Sequence, residues 1–416
     1  MNQKKALEIM KEGRNVFLTG PAGAGKTHLL NQFIDHLKAT LVPVGVTAST
    51  GIAATHLHGI TIHSWAGFGI KNELTDRDIQ NLLKKNYLHA RFEDTEVLII
   101  DEVSMLHAHQ LDMVDQICQL FKGNDLPFGG IQVVLCGDFF QLPPVRKDRQ
   151  PTQFIFESKA WDDMNIQICY LDEQHRQKDK SFLNLLNEIR NNHVTEDSLN
   201  QLNKQLTATL KKGTKYTRLY THNADVDAIN EFELNKISGE SKTYRMAHKG
   251  KSALVDSLKR NCIASEALVL KKGAFVMFIK NNFAKGYVNG TLGEIIDFDE
   301  DNTPIVRTLK GKRILVNPSS WKIEENDEVK AKITQIPLRL AWAITIHKSQ
   351  GMSLDAAEID LSKTFIQGAG YVALSRVKSM NGIKLLGFNK IALKVSPHIV
   401  EMDKEFKELS ELAYKK

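Results

Sequence analysis

A glycine-rich segment at residues 20–27, GPAGAGKT, narrows the choice of fold more than any other part of this sequence. It follows a short apolar run at 16–18 and precedes a helical pattern of apolar residues at 29–37. The spacing G-x-x-x-x-G-K-T in that context is typical of a phosphate-binding loop, because glycines let successive N–H groups and a helix N-terminus point at oxyanions. The sequence therefore predicts an α/β domain that binds a nucleoside triphosphate, with a chance glycine-rich turn as the alternative.

The loop also supplies a cation and a metal ligand. Lys26 is expected to reach the β- and γ-phosphates, and the Thr27 hydroxyl is expected to bind Mg²⁺. Upstream, the Gln3 amide could read an adenine edge, although on its own an ordinary surface glutamine is the simpler interpretation. The loop residues predicted to bind nucleotide are Gly20, Pro21, Ala22, Gly23, Ala24, Gly25, Lys26 and Thr27.

Two later apolar runs end in polar residues that suit hydrolysis. The run at 97–100 ends in Asp101 and Glu102, which a parallel sheet would deliver to the same edge as the glycine loop. Asp101 is predicted to hold Mg²⁺ through water, and Glu102 to orient and deprotonate the attacking water. The run at 131–136 leads to Gln141, which could sense the γ-phosphate or that water. Together these segments predict hydrolysis of the bound nucleotide.

Length and composition set broad limits. The chain has 416 residues and 42% hydrophobic composition, enough for roughly two to four domains. A net charge of +6 permits a nucleic-acid partner without requiring one. The cysteines show no C-x-x-C pair, which argues against a zinc or disulfide framework. With neither a signal peptide nor a membrane-spanning run in the pattern, we expect a cytoplasmic protein with no membrane partner.

The pattern divides the chain into a nucleotide-binding part and a second α/β part. A doubly wound domain is predicted over 1–170, and a second α/β unit without its own glycine loop begins at 171. Between 241 and 333, short alternating runs and glycine turns indicate a small antiparallel barrel inserted in that unit. Lysines on the barrel could contact nucleic acid, but solvated lysine faces are more common.

Three segments carry hydroxyl, cationic and aromatic residues that suit contact with a nucleic-acid strand. Among them, Trp65 and its neighbour Phe68 could stack on bases or simply anchor their loop on the core, and the sequence leaves both open. The residues predicted to bind DNA are Thr47, Ser49, Thr50, Gly51, His63, Ser64, Trp65, Thr345, His347, Lys348 and Ser349.

Eight motifs follow one another along the chain. They are GPAGAGKT, TASTGIAA, TIHSW, IDEVSM, GDFFQLPPV, DEQHRQ, AITIHKSQGMSL and GYVALSRVK. The chain resembles the superfamily-one DNA helicases, in particular the Pif branch that is related to the RecD and Dda helicases. The resemblance covers roughly residues 3–390, and it departs from the family pattern at His175, where an aromatic residue is usual. From its brevity we expect a helicase core without the long N-terminal extensions of eukaryotic relatives.

The resemblance implies an α/β fold of two RecA-like P-loop domains with parallel sheets. Domain 1A would cover 1–170 with a short wedge insertion at about 55–85. Domain 2A would cover 171–240 and 334–416, and an SH3-like domain 2B would cover 241–333.

The family likeness also implies roles for several residues. It places Gln3 in the adenine-reading motif, Gln350 and Gly351 at the nucleotide, and Arg176 and Arg376 as arginine fingers that the second domain supplies to the γ-phosphate.

By the same resemblance, the chain would be an ATP- and Mg²⁺-dependent DNA helicase that moves 5′ to 3′ on single-stranded DNA. It would unwind duplex or forked DNA, and G-quadruplex DNA is a further candidate. It would act as a monomer associated with the nucleoid, in repair, recombination or telomere maintenance. The alternatives are a DNA-stimulated ATPase switch that scaffolds repair or recombination without processive unwinding, and a small-molecule or nucleoside kinase, which would need an acceptor pocket and a lid.

Overall fold

The computed structural model describes residues 1–69, 71–144, 153–174, 176–177, 179–210, 216–262, 264–280, 282, 284–287, 290–325 and 328–415. His175 and Val145, which belong to two of the motifs, lie outside these described residues. The chain divides into a first compact unit, Met1–Thr214 with Ser353–Lys416, and a second, Lys215–Met352. This division differs from the domain boundaries predicted above, which remain a prediction.

The part of the first unit before residue 215 alternates helices and strands. Its elements are α1 (Gln3–Lys11), β1 (Val16–Thr19), α2 (Lys26–Ala39), β2 (Val44–Ala48), α3 (Gly51–His56), β3 (Ile60–Thr61), α4 (Ile62–Ala66), α5 (Asp76–Leu83), α6 (Asn86–Asp94), β4 (Val97–Asp101), α7 (Ala108–Lys122), β5 (Gln132–Cys136), α8 (Lys159–Asp163), β6 (Gln167–Tyr170), α9 (Lys180–Arg190) and α10 (Glu196–Leu206).

The second unit is mainly antiparallel. Its elements are β7 (Thr217–Tyr220), α11 (Asn223–Lys236), β8 (Lys242–Arg245), β9 (Ala247–Gly250), α12 (Ser252–Asn261), β10 (Ala267–Leu270), β11 (Phe275–Phe278), β12 (Leu292–Phe298), β13 (Pro304–Thr308), β14 (Arg313–Leu315), β15 (Ser319–Glu325), β16 (Glu328–Gln335), β17 (Leu338–Leu340) and β18 (Ala343–Thr345). The first unit then resumes with β19 (Ala357–Leu361), α13 (Ala369–Ser375), β20 (Ile383–Phe388) and α14 (Pro397–Lys415).

A parallel sheet organises the first unit, with strand order β3-β2-β4-β5-β1-β6. The register pairs Leu18 with Cys136 and Ala48 with Asp101, so the ends of β1, β2, β4 and β5 share one edge. Because the residues that follow parallel strands collect at that edge, the glycine loop after β1 and the acids that end β4 lie there together. The predicted α/β class with a parallel sheet is confirmed.

The two faces of this sheet are covered by different kinds of core. On one face, apolar residues of α1 and α2, mostly aliphatic and including Ile9, Leu30 and Phe33, are buried against the strands. On the other, Phe17 of β1 packs edge-on against Trp161 of α8 and Phe406 of α14, with ring centroids 5.1 and 5.4 Å apart. Helix α14 is thus part of the core that packs against β1.

The second unit contains the predicted antiparallel region with more structure than the pattern indicated. The expected short strands lie in a sheet of order β14-β13-β12-β11-β17 and in an antiparallel pair of β10 and β8. Strands β15, β16 and β9 form another antiparallel sheet. Helix α12 and the β15–β16 hairpin were not predicted. The strands β7 and β18 pair in parallel, as expected for a resumed α/β pattern. An SH3-like barrel remains a prediction.

Within the described residues, no helix is both long and apolar enough to cross a membrane.

Candidate nucleotide-binding and DNA-binding sites

The loop between β1 and α2 has the backbone that its glycines allow. Gly20, Gly23 and Gly25 have φ angles of +142°, +89° and +83°. A Cβ at Gly23 would lie 2.7 Å from the Cβ of Arg176, so a side chain there would collide with the predicted arginine finger. Glycine is therefore required at this position both for the backbone conformation and for the close approach of Arg176.

The side chains of Lys26 and Gln3 contact the backbone of this loop. The Lys26 Nζ donates hydrogen bonds to the carbonyl oxygens of Gly20 and Pro21, at 2.7 and 3.1 Å. The Gln3 Nε2 donates to the carbonyl oxygen of Ala24 at 3.2 Å. Thr27 lies exposed in the first turn of α2. Gln3, Lys26 and Thr27 thus surround the start of a helix whose free N–H groups favour anions.

The two acids that end β4 differ in their surroundings. The carboxylate of Asp101 accepts a hydrogen bond from the backbone N–H of Glu102 at 2.8 Å. Glu102 has left-handed backbone angles, φ 52° and ψ 43°, which strain a residue with a side chain. Its Oε2 is buried and accepts no hydrogen bond within the described residues. Burial, and then the charge of Asp101, raise the pKa of Glu102 to about 7, against the opposing effects of Arg376 and Lys26.

Hydrogen bonds from the end of β2 hold β4 in place. The backbone N–H of Ser49 donates to the carbonyl oxygen of Asp101 at 3.0 Å, and its hydroxyl donates to that of Glu102 at 2.7 Å. The hydroxyl of Thr47 donates to the carbonyl oxygen of Ile99 at 2.7 Å. Thr47 is completely buried. The structure therefore corrects the prediction of a DNA contact through the Thr47 hydroxyl, which supports the strand instead.

Both predicted arginine fingers belong to the same compact unit as the loop. The Arg176 Nη1 donates to the carbonyl oxygen of Ser375 at 3.0 Å. Arg376 is 2% exposed, and its Nε donates to the carbonyl oxygen of Val372 at 3.1 Å. Burial, and then the charge of Arg376, lower the pKa of Arg176 to about 10. The two guanidinium groups therefore lie close enough to repel each other, and Arg376 also acts electrostatically on Glu102.

Gln141 lies beside the element that carries Arg376. The Gln141 Oε1 is buried and accepts no hydrogen bond among the described residues. A Cβ at Gly368, which precedes α13, would lie 3.0 Å from the carbonyl oxygen of Gln141. The loop after β5 and the start of α13 are therefore in close contact.

Sequence reasoning missed three residues of this site, which are Asp138, Arg190 and Tyr371. The Tyr371 hydroxyl accepts a hydrogen bond from the backbone N–H of Ala22, inside the glycine loop, at 2.9 Å. Asp138 and Tyr371 belong to two of the motifs, so motif membership was a signal that could have found them. Arg190 had no such signal, since its position at the end of α9 is typical of a helix C-terminus.

The predicted DNA contacts of the first unit divide into exposed and buried residues. Ser64 and Gly51 are exposed, and Thr50 is partly exposed. His63 is close to the Gln110 side chain, with 3.1 Å between Nε2 atoms, and burial lowers its pKa. Trp65 is 3% exposed and packs edge-on against Phe92, with ring centroids 4.7 Å apart. Of the two alternatives for Trp65, this placement favours the one in which it anchors the loop.

The predicted contacts of the second unit follow β18. Thr345 and Ser349 are buried, and the Ser349 hydroxyl donates to the carbonyl oxygen of Ile346 at 2.7 Å. His347 and Lys348 are partly exposed. Burial, and then the charge of Arg339, lower the pKa of Lys348 to about 8. Lys348 therefore loses its charge at a lower pH than an ordinary lysine does.

Two residues of the second unit were predicted to bind nucleotide. The buried Gln350 side chain has no hydrogen-bond partner within the described residues, at either its Nε2 or its Oε1. Gly351 has a φ of +75°. Both follow directly on the segment that carries Lys348.

Comparison with known proteins agrees with this assembly of motifs. Residues 1–200 match the model of the PIF1-like helicase family, and residues 253–298 match that of the DNA helicase Pif1 2B domain. The chain is 48% identical to the ATP-dependent DNA helicase Pif1 of Psychrobacter over 99% of its length and 71% of that protein's. It is 39% identical to the ATP-dependent DNA helicase PIF1 of Xenopus laevis, covering 96% of this chain and 63% of that protein.

Solved structures give the same result. The crystal structure of Pif1 helicase from Candida albicans is similar with a TM-score of 0.89 and 36% identity, over 97% of this chain and 98% of that one. The Bacteroides Pif1 helicase in complex with ADP-AlF3 and single-stranded DNA is similar with a TM-score of 0.75 and 32% identity, over 98% of this chain and 96% of that one. The resemblance inferred from the motifs is confirmed, and the chain belongs to the PIF1-like family of ATP-dependent DNA helicases.

Proposed function

We propose that this chain hydrolyses ATP with Mg²⁺ and uses the energy to move 5′ to 3′ along single-stranded DNA, unwinding the duplex ahead of it. The observation that carries the proposal is the meeting, in one compact unit, of the glycine loop, the Glu102 carboxyl and both arginines. A kinase would instead need an acceptor pocket and a lid. The direction of movement rests on family likeness alone.

The residues at the loop fit a nucleoside triphosphate and its metal ion. The loop backbone has the left-handed glycines that a phosphate cradle needs, and Gln3 reaches the same loop from α1. Thr27 and Asp101 would hold Mg²⁺, since hydroxyl and carboxylate oxygens are the ligands it prefers. Bound there, the ion would supply positive charge to the phosphate oxygens. Gln350 and Gly351 complete the proposed nucleotide-binding set.

Hydrolysis would use three cations and two side chains, each with a buried oxygen that has no hydrogen bond within the described residues. Glu102, with its raised pKa, is suited to accept a proton from the attacking water near neutral pH. The free Oε1 of Gln141 could orient that water. Lys26, Arg176 and Arg376 would balance the negative charge that spreads over the oxygens of the transferred phosphoryl group.

DNA contact is proposed for the more accessible of the predicted residues. In the first unit these are Thr50, Gly51, His63 and Ser64, and in the second they are His347 and Lys348. Hydroxyl, imidazole and ammonium groups suit phosphate contacts, which fix a strand without reading its sequence. The buried Ser49, Trp65, Thr345 and Ser349 would shape these segments. Movement then requires the two sets to change their grip in turn during each ATP cycle.

Further properties of the proposed enzyme follow from the family. We propose that it works as a monomer at the nucleoid on forked or duplex DNA, and that G-quadruplex DNA is a candidate substrate. The division into domains 1A, 2A and 2B, with 55–85 as a wedge, is part of the same proposal. Repair, recombination and telomere maintenance are the processes that such an activity would serve.

The test is to measure ATP turnover with and without oligo-dT, and strand separation on substrates with a 5′ or a 3′ single-stranded tail. The proposal expects strong stimulation by oligo-dT and unwinding that needs the 5′ tail. Stimulated turnover without any unwinding would favour the alternative, a DNA-stimulated ATPase switch that scaffolds repair or recombination. ATP turnover that does not change when oligo-dT is added would overturn the proposal of a DNA-dependent motor.

A further inference from the structure

A buried polar network in the first unit has no part in the mechanism proposed so far. At its centre the Arg190 Nη1 donates to both carboxylate oxygens of Asp138, at 2.9 and 3.0 Å. The same nitrogen donates to the Tyr371 hydroxyl at 3.0 Å. The guanidinium lies 3.9 Å from the ring centroid of Phe140. Burying a charged guanidinium destabilises the folded protein unless acceptors and counter-charges surround it. The side chains around Arg190 supply these partners.

The Tyr371 hydroxyl joins this network to the glycine loop. It donates to the Asp138 carboxylate at 3.2 Å and accepts from Arg190 and from the backbone N–H of Ala22, the latter at 2.9 Å. One donor and two acceptor positions are all that a hydroxyl offers, so its hydrogen-bonding capacity is filled. The bond to Ala22 connects residues 349 apart in sequence.

Tyr371 and Arg376 are held by one short element. Tyr371 lies in α13, and Arg376 is the residue at which that helix ends. At Gly370 a Cβ would lie 1.9 Å from the carbonyl oxygen of Ala392, and at Gly368 it would lie 2.8 Å from that of Phe140. The helix is thus fixed by close backbone contacts on both sides. A tie from Tyr371 to the loop therefore also sets where Arg376 stands relative to the loop.

We propose that Tyr371 is a positioning residue for the nucleotide. Its hydroxyl fixes the glycine loop through Ala22 and holds α13, the helix that Arg376 follows, against that loop. Asp138 and Arg190 orient the hydroxyl. The inference rests on the proposed function of the loop and of Arg376. It assigns Tyr371 no contact with the reacting atoms.

A second tyrosine of the same network provides a matched control. The Tyr170 hydroxyl accepts from the Arg190 Nη2 at 3.0 Å and donates to Asp403 at 3.0 Å. Like Tyr371 it is buried and bonded to Arg190, but among the described residues its hydroxyl bonds to Arg190 and Asp403 and not to the glycine loop. Replacing either tyrosine by phenylalanine removes one hydroxyl from the same buried cluster.

The experiment compares Tyr371→Phe with Tyr170→Phe in the full chain. A fluorescent ADP analogue reports nucleotide affinity without turnover, and steady-state kinetics with saturating oligo-dT reports kcat and KM for ATP. For Tyr371→Phe we expect a Kd for the ADP analogue weakened by about tenfold and a kcat/KM for ATP lowered by at least as much, as expected when a buried hydrogen bond is lost. Tyr170→Phe is expected to stay within about twofold of wild type on both, with a similar loss of melting temperature.

Equal nucleotide effects in the two variants would show that the network only stabilises the fold, and would overturn the inference. So would a Tyr371→Phe variant that binds and hydrolyses nucleotide like wild type. If the wild-type chain proved insensitive to DNA while the difference in ADP affinity persisted, the proposed motor function would fail and the positioning role of Tyr371 would stand.

Discussion

The DNA contact proposed for Lys348 would make DNA binding depend on pH. Lys348 is partly buried in the second unit near Arg339, which itself pairs with Asp227 at 3.1 Å. Burial and Arg339 lower the pKa of Lys348 from its ordinary 10.5 to about 8, and only Asp227 opposes them. A phosphate contact requires the charged form, so binding takes up a proton above that pH. We expect affinity for oligo-dT to fall by about tenfold between pH 7 and pH 9, measured by fluorescence anisotropy at constant salt.

Lys348→Arg separates this effect from other titrations. Arginine remains charged throughout the range, so the variant should bind oligo-dT with nearly the same affinity at pH 7 and pH 9. A wild-type affinity that does not change with pH would contradict the assignment. So would a Lys348→Arg variant that loses affinity as steeply as wild type.

Lys26 is expected to be essential for hydrolysis but not for holding DNA. Its ammonium lies at the carbonyl oxygens of the glycine loop, where it can turn to the β- and γ-phosphates. Lys26→Ala should lower kcat for ATP by about 10³-fold or more, while the Kd for oligo-dT stays within about threefold. Lys38→Ala, on the exposed face of the same helix α2, is the control and should leave both unchanged. Substantial ATP turnover by Lys26→Ala would show that the loop is not part of the catalytic site.

At the scale of elements, β2 and α4 fit together through a glycine and a tryptophan. A Cβ at Gly45 would lie 2.7 Å from the indole Nε1 of Trp65, so Gly45→Ala must push the ring from its place. We expect Gly45→Ala to lower the free energy of unfolding by about 1–3 kcal/mol, and Trp65→Ala to lower it by about 3–5 kcal/mol because packing is lost. Trp65→Ala removes the ring that a Cβ at residue 45 would meet. Adding Gly45→Ala to Trp65→Ala should therefore lower the free energy of unfolding by less than about 1 kcal/mol.

The melting temperatures of the four proteins in this cycle measure the coupling. Additive losses would mean that the two residues do not depend on each other. The same proteins also decide between the two roles of Trp65, when oligo-dT binding is measured well below their melting points. An anchoring residue should change the Kd by less than about threefold, whereas loss of base stacking should weaken it by about tenfold or more, given ~1–3 kcal/mol per stacked base.

The elements that could be predicted are those whose signals lie in neighbouring residues of the sequence. The strand, glycine loop and helix at 16–39, and the strand that ends in Asp101, are encoded by neighbouring residues. The roles of hydroxyl groups were harder, because a hydroxyl near a strand end can face DNA or a distant backbone. The Thr47 hydroxyl bonds Ile99, 52 residues away, and that of Ser49 bonds Glu102, 53 residues away. Helix α12 was missed because it interrupts a region dominated by short strands and turns.

At the scale of the whole molecule, the family motifs predicted the roles that are proposed for the residues of the nucleotide site, but not which of those residues share one compact unit. The predicted boundary at 170 separates Arg176 and Arg376 from the glycine loop, whereas the compact first unit contains all three. Closeness between residues far apart in the chain, such as Gly23 and Arg176, depends on side-chain size and on left-handed backbone that only the folded structure specifies. The sequence could therefore name the arginines, but not the contacts that hold them.

The coupling of ATP use to movement can be tested through these arginines. Arg376 is buried and acts on Glu102, and Arg176 adjoins Gly23, so each is placed to balance charge that develops during phosphoryl transfer. We expect Arg376→Ala and Arg176→Ala each to lower oligo-dT-stimulated kcat by about 10³-fold or more. Fluorescent ATP analogue binding should stay within about threefold, and unwinding of 5′-tailed DNA should be lost.

Arg376→Lys sharpens this test, because it keeps the positive charge in nearly the same volume but loses the planar fork of donors. If the fork matters, the lysine variant should remain about 10²-fold slower than wild type. Arg14→Ala, an exposed arginine between α1 and β1 in the same unit, should behave as wild type in every assay. The double variant should be little worse than either single one, since groups that act on one transition state are not additive. Were the single variants to raise KM for ATP while keeping kcat and unwinding, the arginines would bind the nucleotide without driving the motor, and the energy for translocation would have to enter through other residues.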